Sequence, residues 1–471
     1  MKERYCLNAV RNGMSGISAL ISNGVNINRF LEFYLMKEKQ NKINRRNFLK
    51  TIGAAGLVPT FTGARTVFAS AKTPAGPGVP VSIDPNAPKE AQKPKFPLVP
   101  KRKLGKLTEL DKAGKKVPVK VACLALGMMF DAFEQQLVLR KAIQYGVTYW
   151  DTAHSYNGGN SELGVGKFLE RYPKVRKEMF IASKASRTRT IEDVEHRLQT
   201  SLKRMNTNYI DLYYLHDIES TERLTDELRD WAKSAKQRKL IRFFGFTTHR
   251  NMAKCLEFAA KLDWIDAIMT SYNFRLIHDE KLNAAINACH KAGIGLIAMK
   301  TVGKGAAAKE IKTEEERKLV EHFLKRGFTE GQAKIKVVAQ DKRFSSVCVG
   351  RGNVKELDLN VAAVLDKTRL TRADMKVFTE YALATCNGYC AGCAEICDSA
   401  LADMPYVSDI MRYLMYYNNY GERDNARKLF AQIPGKVRDK LLSTDYSLAE
   451  ARCPQRMPIG SLIAEAVSKL A

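Results

Sequence analysis

Four residues of types that can move a proton stand at regular spacing: Asp151 and Tyr156 in DTAHSY, Lys184 in ASK, and His216 in YYLHD. A free phenol titrates at a pKa of about 10, and a neighbouring ammonium lowers that by stabilising the phenolate. Lys184 is placed to be that ammonium, with Asp151 paired to it so that it stays charged and oriented. His216 would donate a hydrogen bond to a substrate oxygen. Together the groups suit protonation of a carbonyl oxygen during hydride transfer. Tyr156 is then the general acid for reduction, or the general base for alcohol oxidation.

Apolar runs that need to be buried carry these residues at their ends. Eight such runs alternate with amphipathic stretches: VKVACLAL, VTYWDTA, MFIASKAS, YIDLYYLHD, IRFFGFTTH, AIMTSYNF, IGLIAMKT and SSVCVGR. Asp151, Lys184, His216 and Thr248 close four consecutive runs at intervals of 33, 32 and 32 residues, the length of one βα unit with its loops. IEDVEHRLQTSLKRM and DEKLNAAINACHKAG repeat apolar residues at three and four residue steps, as helices of an outer ring require. The expected fold is α/β, a (β/α)8 TIM barrel over residues 101–368, with the polar strand ends converging on one rim. A doubly wound sheet would want a Gly-rich phosphate loop after its first strand, where LALGMMFDAF offers only Gly127.

In order and spacing, DTAHSY, ASK, YYLHD, IRFFGFTTH, GLIAMKTVGKG and VCVGRGNVKELDLN resemble the aldo/keto reductase family over about residues 101–368. The resemblance implies that Asp151, Tyr156, Lys184 and His216 form the catalytic tetrad, and that a nicotinamide dinucleotide, NADP or NAD, lies extended across the rim. Thr247 and Thr248 stand where the family commonly has a Ser and an Asn gripping the carboxamide, and Asn273 is a further candidate from the next strand. At the adenine end the matching loop supplies Gly350, Arg351, Asn353, Glu356 and Asn360. Many members set a Lys and an Arg against the 2′-phosphate; here Gly350 and Glu356 take those places, and a carboxylate suits a ribose hydroxyl better than a phosphate. Arg351 is the substitute if the phosphate is present. His154 reads as a loop residue, and His196, His278, His290 and His322 fall on helices facing solvent.

Past residue 368 the chain becomes cysteine-rich. CNGYCAGCAEIC contains Cys386, Cys390, Cys393 and Cys397, and Cys453 precedes Pro454, a spacing similar to ferredoxin-like [4Fe–4S] ligation. A structural zinc and disulfides are the other readings. Similarity to the iron–sulfur tails of exported aldo/keto reductases implies Cys390, Cys393, Cys397 and Cys453 as the ligands and Cys386 as a spare. Between them, SDIMRYLMYYNNYGE reads as helical core packed on the barrel, with an aromatic electron path as the alternative. Residues 369–471 are expected to be a small, mostly helical domain.

At the other end, NRRNFLK, the apolar TIGAAGLVPTFTGA and Ala69-Ser70-Ala71 resemble, in that order, a twin-arginine export signal over residues 36–71. That implies a folded protein delivered to the periplasm and not integral to the membrane after cleavage, the apolar run being too short to span it. Met36 fits as the initiator, with residues 1–35 an upstream extension and 72–100 a Pro- and Lys-rich linker. The net charge of +27 is dispersed, roughly a third of it before the barrel, and no recognition motif accompanies it, which argues against nucleic acid.

Two functions remain. One is an exported oxidoreductase acting on a small-molecule carbonyl or alcohol, with an electron-transfer partner if the cluster relays electrons. The other is a non-enzymatic redox-sensing or partner-binding subunit on the same scaffold.

Overall fold

A computed structural model describes residues 97–303, 314–350, 352–401 and 403–471. The upstream extension, the export signal and nearly all of the linker lie outside the described residues, as does Arg351.

Eight parallel strands close into a barrel: β3 (Leu124–Gly127), β4 (Tyr149–Asp151), β5 (Phe180–Ala185), β6 (Ile210–Leu215), β7 (Ile241–Thr248), β8 (Ala267–Ser271), β9 (Gly295–Met299) and β10 (Ser346–Val349), with β10 pairing β3. Each of the eight apolar runs contributes one barrel strand, although the first half of VKVACLAL belongs to a separate strand, Lys116–Ala122, outside the barrel. Every residue of β5, β6, β8 and β9 is buried, because a barrel strand is covered by the interior layers on one face and by helices on the other. Gly245 is needed where β7 meets β8, since a Cβ there would lie 1.7 Å from the Ala267 carbonyl oxygen.

The outer helices form where their caps and stripes dictate. In α1 (Ile191–Arg204), Thr190 and Asp193 make a capping box, and Val194, Leu198 and Leu202 are buried one turn apart. In α2 (Glu280–Ala292), Asp279 accepts from the Leu282 amide and Gly293 ends the helix at φ 79°.

An antiparallel hairpin, β1 (Lys101–Leu110) and β2 (Lys116–Ala122), precedes the barrel. Its Leu104 is fully buried, and the Lys106 amide donates to the Gly293 carbonyl at 2.8 Å, close to where β9 begins. No strand pair is expected there from KRKLGKLTEL, because only Leu104 of its ten residues is buried, so the strand has no apolar face to alternate with a polar one.

After α3 (Val354–Leu365) and α4 (Arg372–Ala384), the tail folds as short helices around a second core. In α5 (Val407–Met415), Val407, Ile410, Met411 and Leu414 turn into that core, and α6 (Arg423–Phe430) and α7 (Ile459–Leu470) pack beside them. The tail docks on the ends of β7 and β8. The Asn251 amide donates to the Gly392 carbonyl at 2.8 Å, and Asn273 Nδ2 donates to Tyr389 Oη at 2.8 Å. Gly392 has φ 80°, and a Cβ there would lie 2.1 Å from the His249 carbonyl oxygen. Among the described residues no helix is long and apolar enough to cross a membrane.

Candidate active site

Asp151 ends β4, Lys184 is the penultimate residue of β5, and His216 follows β6, so parallel pairing carries all three to the same rim. Lys184 Nζ lies 2.7 Å from Asp151 Oδ2 and donates to the Thr152 carbonyl at 2.6 Å. The same ammonium sits 4.5 Å from the centre of the Tyr156 ring, and that ring meets the His216 ring edge-on at 5.8 Å. The structure therefore brings the four residues together: a buried ion pair beneath, a phenol and an imidazole above.

Ser155 Oγ donates to Ser186 Oγ at 3.0 Å, and Ser186 Oγ lies 2.6 Å from His216 Nδ1. With Ser155 donating to Ser186, the Ser186 proton is free to point at Nδ1, which leaves the ring proton on Nε2. Burial, then the Lys184 charge, push His216 down to about 3, so it is a neutral hydrogen-bond donor at ordinary pH. Burial, then the Asp151 charge, hold the Tyr156 phenol well above its ordinary value. This corrects the expectation of a phenol lowered by Lys184: the ammonium is spent on Asp151, and desolvation of the phenolate outweighs what remains.

The rim opens into a cleft of about 640 Å³ bordered by Tyr156, His216, Gly350, Glu356 and Asn360. Other expected contacts stand back from it, with their polar atoms engaged elsewhere. Thr247 Oγ1 accepts from the Asp217 amide at 2.8 Å, and Thr248 Oγ1 donates to the Arg250 carbonyl at 2.8 Å. Asn273 donates to the Lys300 carbonyl as well as to Tyr389, and accepts from the Arg275 amide. Asn353 caps α3 by accepting from the Glu356 amide at 2.9 Å. In this conformation these four make those hydrogen bonds and do not border the cleft.

Other residues reach the cleft without having been singled out. His249, just past β7, lines it and lies 3.2 Å from Ser271 Oγ. Lys300, just past β9, lines it, as does Cys348, whose thiol donates to Asp151 Oδ2 at 3.8 Å. Polar residues directly after an apolar run were the signal that marked His216, and the same signal marks His249 and Lys300. Tyr413, Tyr416 and Tyr420 also border the cleft. No signal in their segment could show it, since it depends on how the tail docks. His154 does not border the cleft.

A separate small apolar cavity in the tail is lined by Cys390, Cys393, Cys397 and Cys453 together with Val407 and Met411. Cys386 is not on it. Burial raises the thiols of Cys390 and Cys393, the latter to about 12, and each feels the Cys453 sulfur. The nine described cysteines are free thiols. Among the described residues no three Cys, His, Asp or Glu side chains converge tightly enough to hold a metal ion as they stand.

A Tyr, a His and a buried Lys–Asp pair thus stand together at the carboxyl ends of the strands of a parallel eight-stranded barrel. The chain belongs to the aldo/keto reductase family, whose model matches residues 125–381. It is 26% identical over 251 residues to L-galactose dehydrogenase of Arabidopsis thaliana, covering 48% of this chain and 77% of that one. It is 30% identical over 190 residues to an aldo-keto reductase of Gibberella moniliformis (38% and 56% covered), and 26% identical over 223 residues to the aldo-keto reductase yakc [NADP(+)] of Schizosaccharomyces pombe (44% and 62%). The chain thus spans less than two thirds of the latter two relatives. Among solved structures it is similar to an aldo-keto reductase from Bacillus halodurans, at a TM-score of 0.48 and 21% identity over 59% of this chain and 95% of that one.

Proposed function

We propose that the protein is a nicotinamide-nucleotide-dependent reductase of carbonyl compounds, or oxidant of alcohols, with Tyr156 as the proton donor and acceptor. The observation that carries this reading is the Tyr156 ring held between the Lys184 ammonium and the His216 ring at the edge of the cleft. Held above its ordinary pKa, the phenol keeps its proton until a carbonyl oxygen gains negative charge beside it. His216 Nε2–H steadies the same oxygen, and the Lys184–Asp151 pair fixes the electrostatics beneath.

A bound nicotinamide nucleotide would supply the hydride in reduction and receive it in oxidation. Gly350, Glu356 and Asn360 would hold it, with Arg351 beside them in the chain. The fit rests on Glu356 and Asn360 of α3 bordering the cleft near the N-terminus of that helix, whose dipole favours phosphate oxygens. The Schizosaccharomyces relative's name supports NADP and Glu356 supports an unphosphorylated ribose; kcat/KM with NADPH and with NADH decides between them.

The four cavity cysteines would hold an iron–sulfur cluster, for which their thiol chemistry, their common apolar cavity and the exclusion of Cys386 speak. Such a group would supply one-electron chemistry or brace the tail. Delivery to the periplasm by a twin-arginine signal belongs to the same proposal and rests on the order of arginine pair, apolar run and small-residue site.

Tyr156→Phe tests the core of the reading. Carbonyl reduction should fall by a factor on the order of 10² to 10⁴ while thermal stability stays near that of the parent. Turnover that survives the change removes Tyr156 from the chemistry, and absence of turnover in both forms leaves the scaffold reading.

A further inference from the structure

The cleft contains a cation that the proton-transfer chemistry does not use. Lys300 follows β9 in a left-handed backbone conformation, φ 56°, which is uncommon for a residue with a Cβ and is kept only where the surroundings enforce it. Its ammonium lies 4.6 Å from the centre of the Tyr416 ring and 4.5 Å from that of Tyr420, both supplied by the tail. Of the four guanidiniums among the described residues that border the cleft, Arg250 is taken up by Glu219 and Asp409 and Arg412 by Asp217 and Asp409, Arg223 donates to the Thr188 hydroxyl, and Arg187 is exposed to solvent. Lys300 Nζ has no such ion pair or hydrogen bond among the described residues.

The carboxylate that most affects it is Glu422, which burial raises above its ordinary value. Burial lowers Lys300 to about 8, so the amine is still mostly protonated at neutral pH. It borders the same cleft as His216 and His249. A partly desolvated ammonium flanked by two aromatic faces but lacking a bonded anion is an incomplete arrangement, and an anionic ligand completes it.

We propose that Lys300 is the recognition group for a carboxylate on the substrate, so that the protein prefers oxo acids to neutral aldehydes and ketones. The proposal rests on the reductase reading above and names the substrate class of that same site. Tyr416 and Tyr420, whose rings meet edge to face at 6.1 Å, form two adjacent walls beside the ammonium, which gives the tail a direct part in substrate choice. The other anion expected in this cleft is a phosphate of the nucleotide. Lys300 is instead grouped with tail residues and the two histidines.

The test reads binding apart from turnover. With NADPH present, para-hydroxymethylbenzoate and benzyl alcohol, neither of which can be oxidised by a reduced nucleotide, are titrated calorimetrically into the parent, Lys300→Met and Lys300→Arg. The parent should favour the carboxylated compound by on the order of tenfold, Lys300→Met should erase that preference, and Lys300→Arg should keep much of it. The proposal is overturned if the parent shows no preference or binds neither compound, or if Lys300→Met keeps the preference. Weaker NADPH binding in Lys300→Met with the preference intact also overturns it and reassigns Lys300 to the nucleotide. Failure of the reductase reading looks different: para-carboxybenzaldehyde is not reduced although the binding preference stands.

Discussion

Lys184 Nζ lies 2.7 Å from Asp151 Oδ2 with the two side chains only 1% and 3% exposed, while Asp151 Oδ1 has no hydrogen-bond partner. Taking either charge away strands the other in a region of low dielectric. Asp151→Asn and Lys184→Met are each expected to cost about 3 kcal/mol in chemical denaturation and to depress kcat. The double variant should regain part of the stability and none of the turnover. A double variant no more stable than the singles would mean that packing, not charge, sets the cost.

The protonation states give a pH signature. Tyr156 is held well above its usual value and His216 is pushed down to about 3, so neither titrates in the neutral range. For a neutral aldehyde, kcat/KM for reduction should be flat from about pH 6 to about pH 9. An alkaline limb with a midpoint near 8 that persists in Lys300→Met would show a phenol lowered by Lys184 instead, since Lys300 itself is lowered to about 8.

Stability should follow His216 in a definite direction. Its folded value lies below the ordinary 6.5, so between about 3 and 6.5 the unfolded chain binds more protons than the folded one. Stability is intact above that window and is lost as pH falls through it, and His154, down to about 4, adds to the same trend. The thermal midpoint of the parent should rise with pH across the window, and His216→Gln should flatten the slope. An unchanged slope would place the acid sensitivity elsewhere.

Arg412 joins the tail to the barrel rim, 2.7 Å from Asp217 and 2.7 Å from Asp409. Its helix α5 also presents Tyr413 to the cleft. Arg412→Ala leaves Asp217 without its cation, at an expected cost of about 3 kcal/mol, and should raise KM more than it lowers kcat. Asp217→Asn in the same background should return some of the stability; if it returns none, the loss lies in packing of the tail.

For the tail, Cys393→Ser should reduce iron and acid-labile sulfide in protein purified without oxygen, and Cys386→Ser should leave both unchanged. Stoichiometric zinc in the parent, or equal iron in the two variants, would dismiss the cluster.

The barrel was legible because its strands are buried on both faces and so read as continuous apolar runs. Asp151, Lys184 and His216 were legible because an ionisable side chain at the end of such a run demands a partner. The hairpin β1–β2 was not, since β1 buries only Leu104 and so carries no apolar face for a pattern to show. Thr247, Thr248 and Asn273 carry polar groups at apt positions, yet a position in a string does not reveal that Asp217, Arg250 and Tyr389 already use those groups.

The order and spacing of strand-end residues along the chain thus determined the barrel and which acid, amine, phenol and imidazole would meet. Only the tertiary structure decided that Lys184 is spent on Asp151, that Tyr156 is raised rather than lowered, and that the tail sets Tyr416 and Tyr420 against Lys300. The reason is physical. Hydrophobic period and spacing are properties of the chain, whereas desolvation and competition for hydrogen bonds depend on neighbours that only folding supplies.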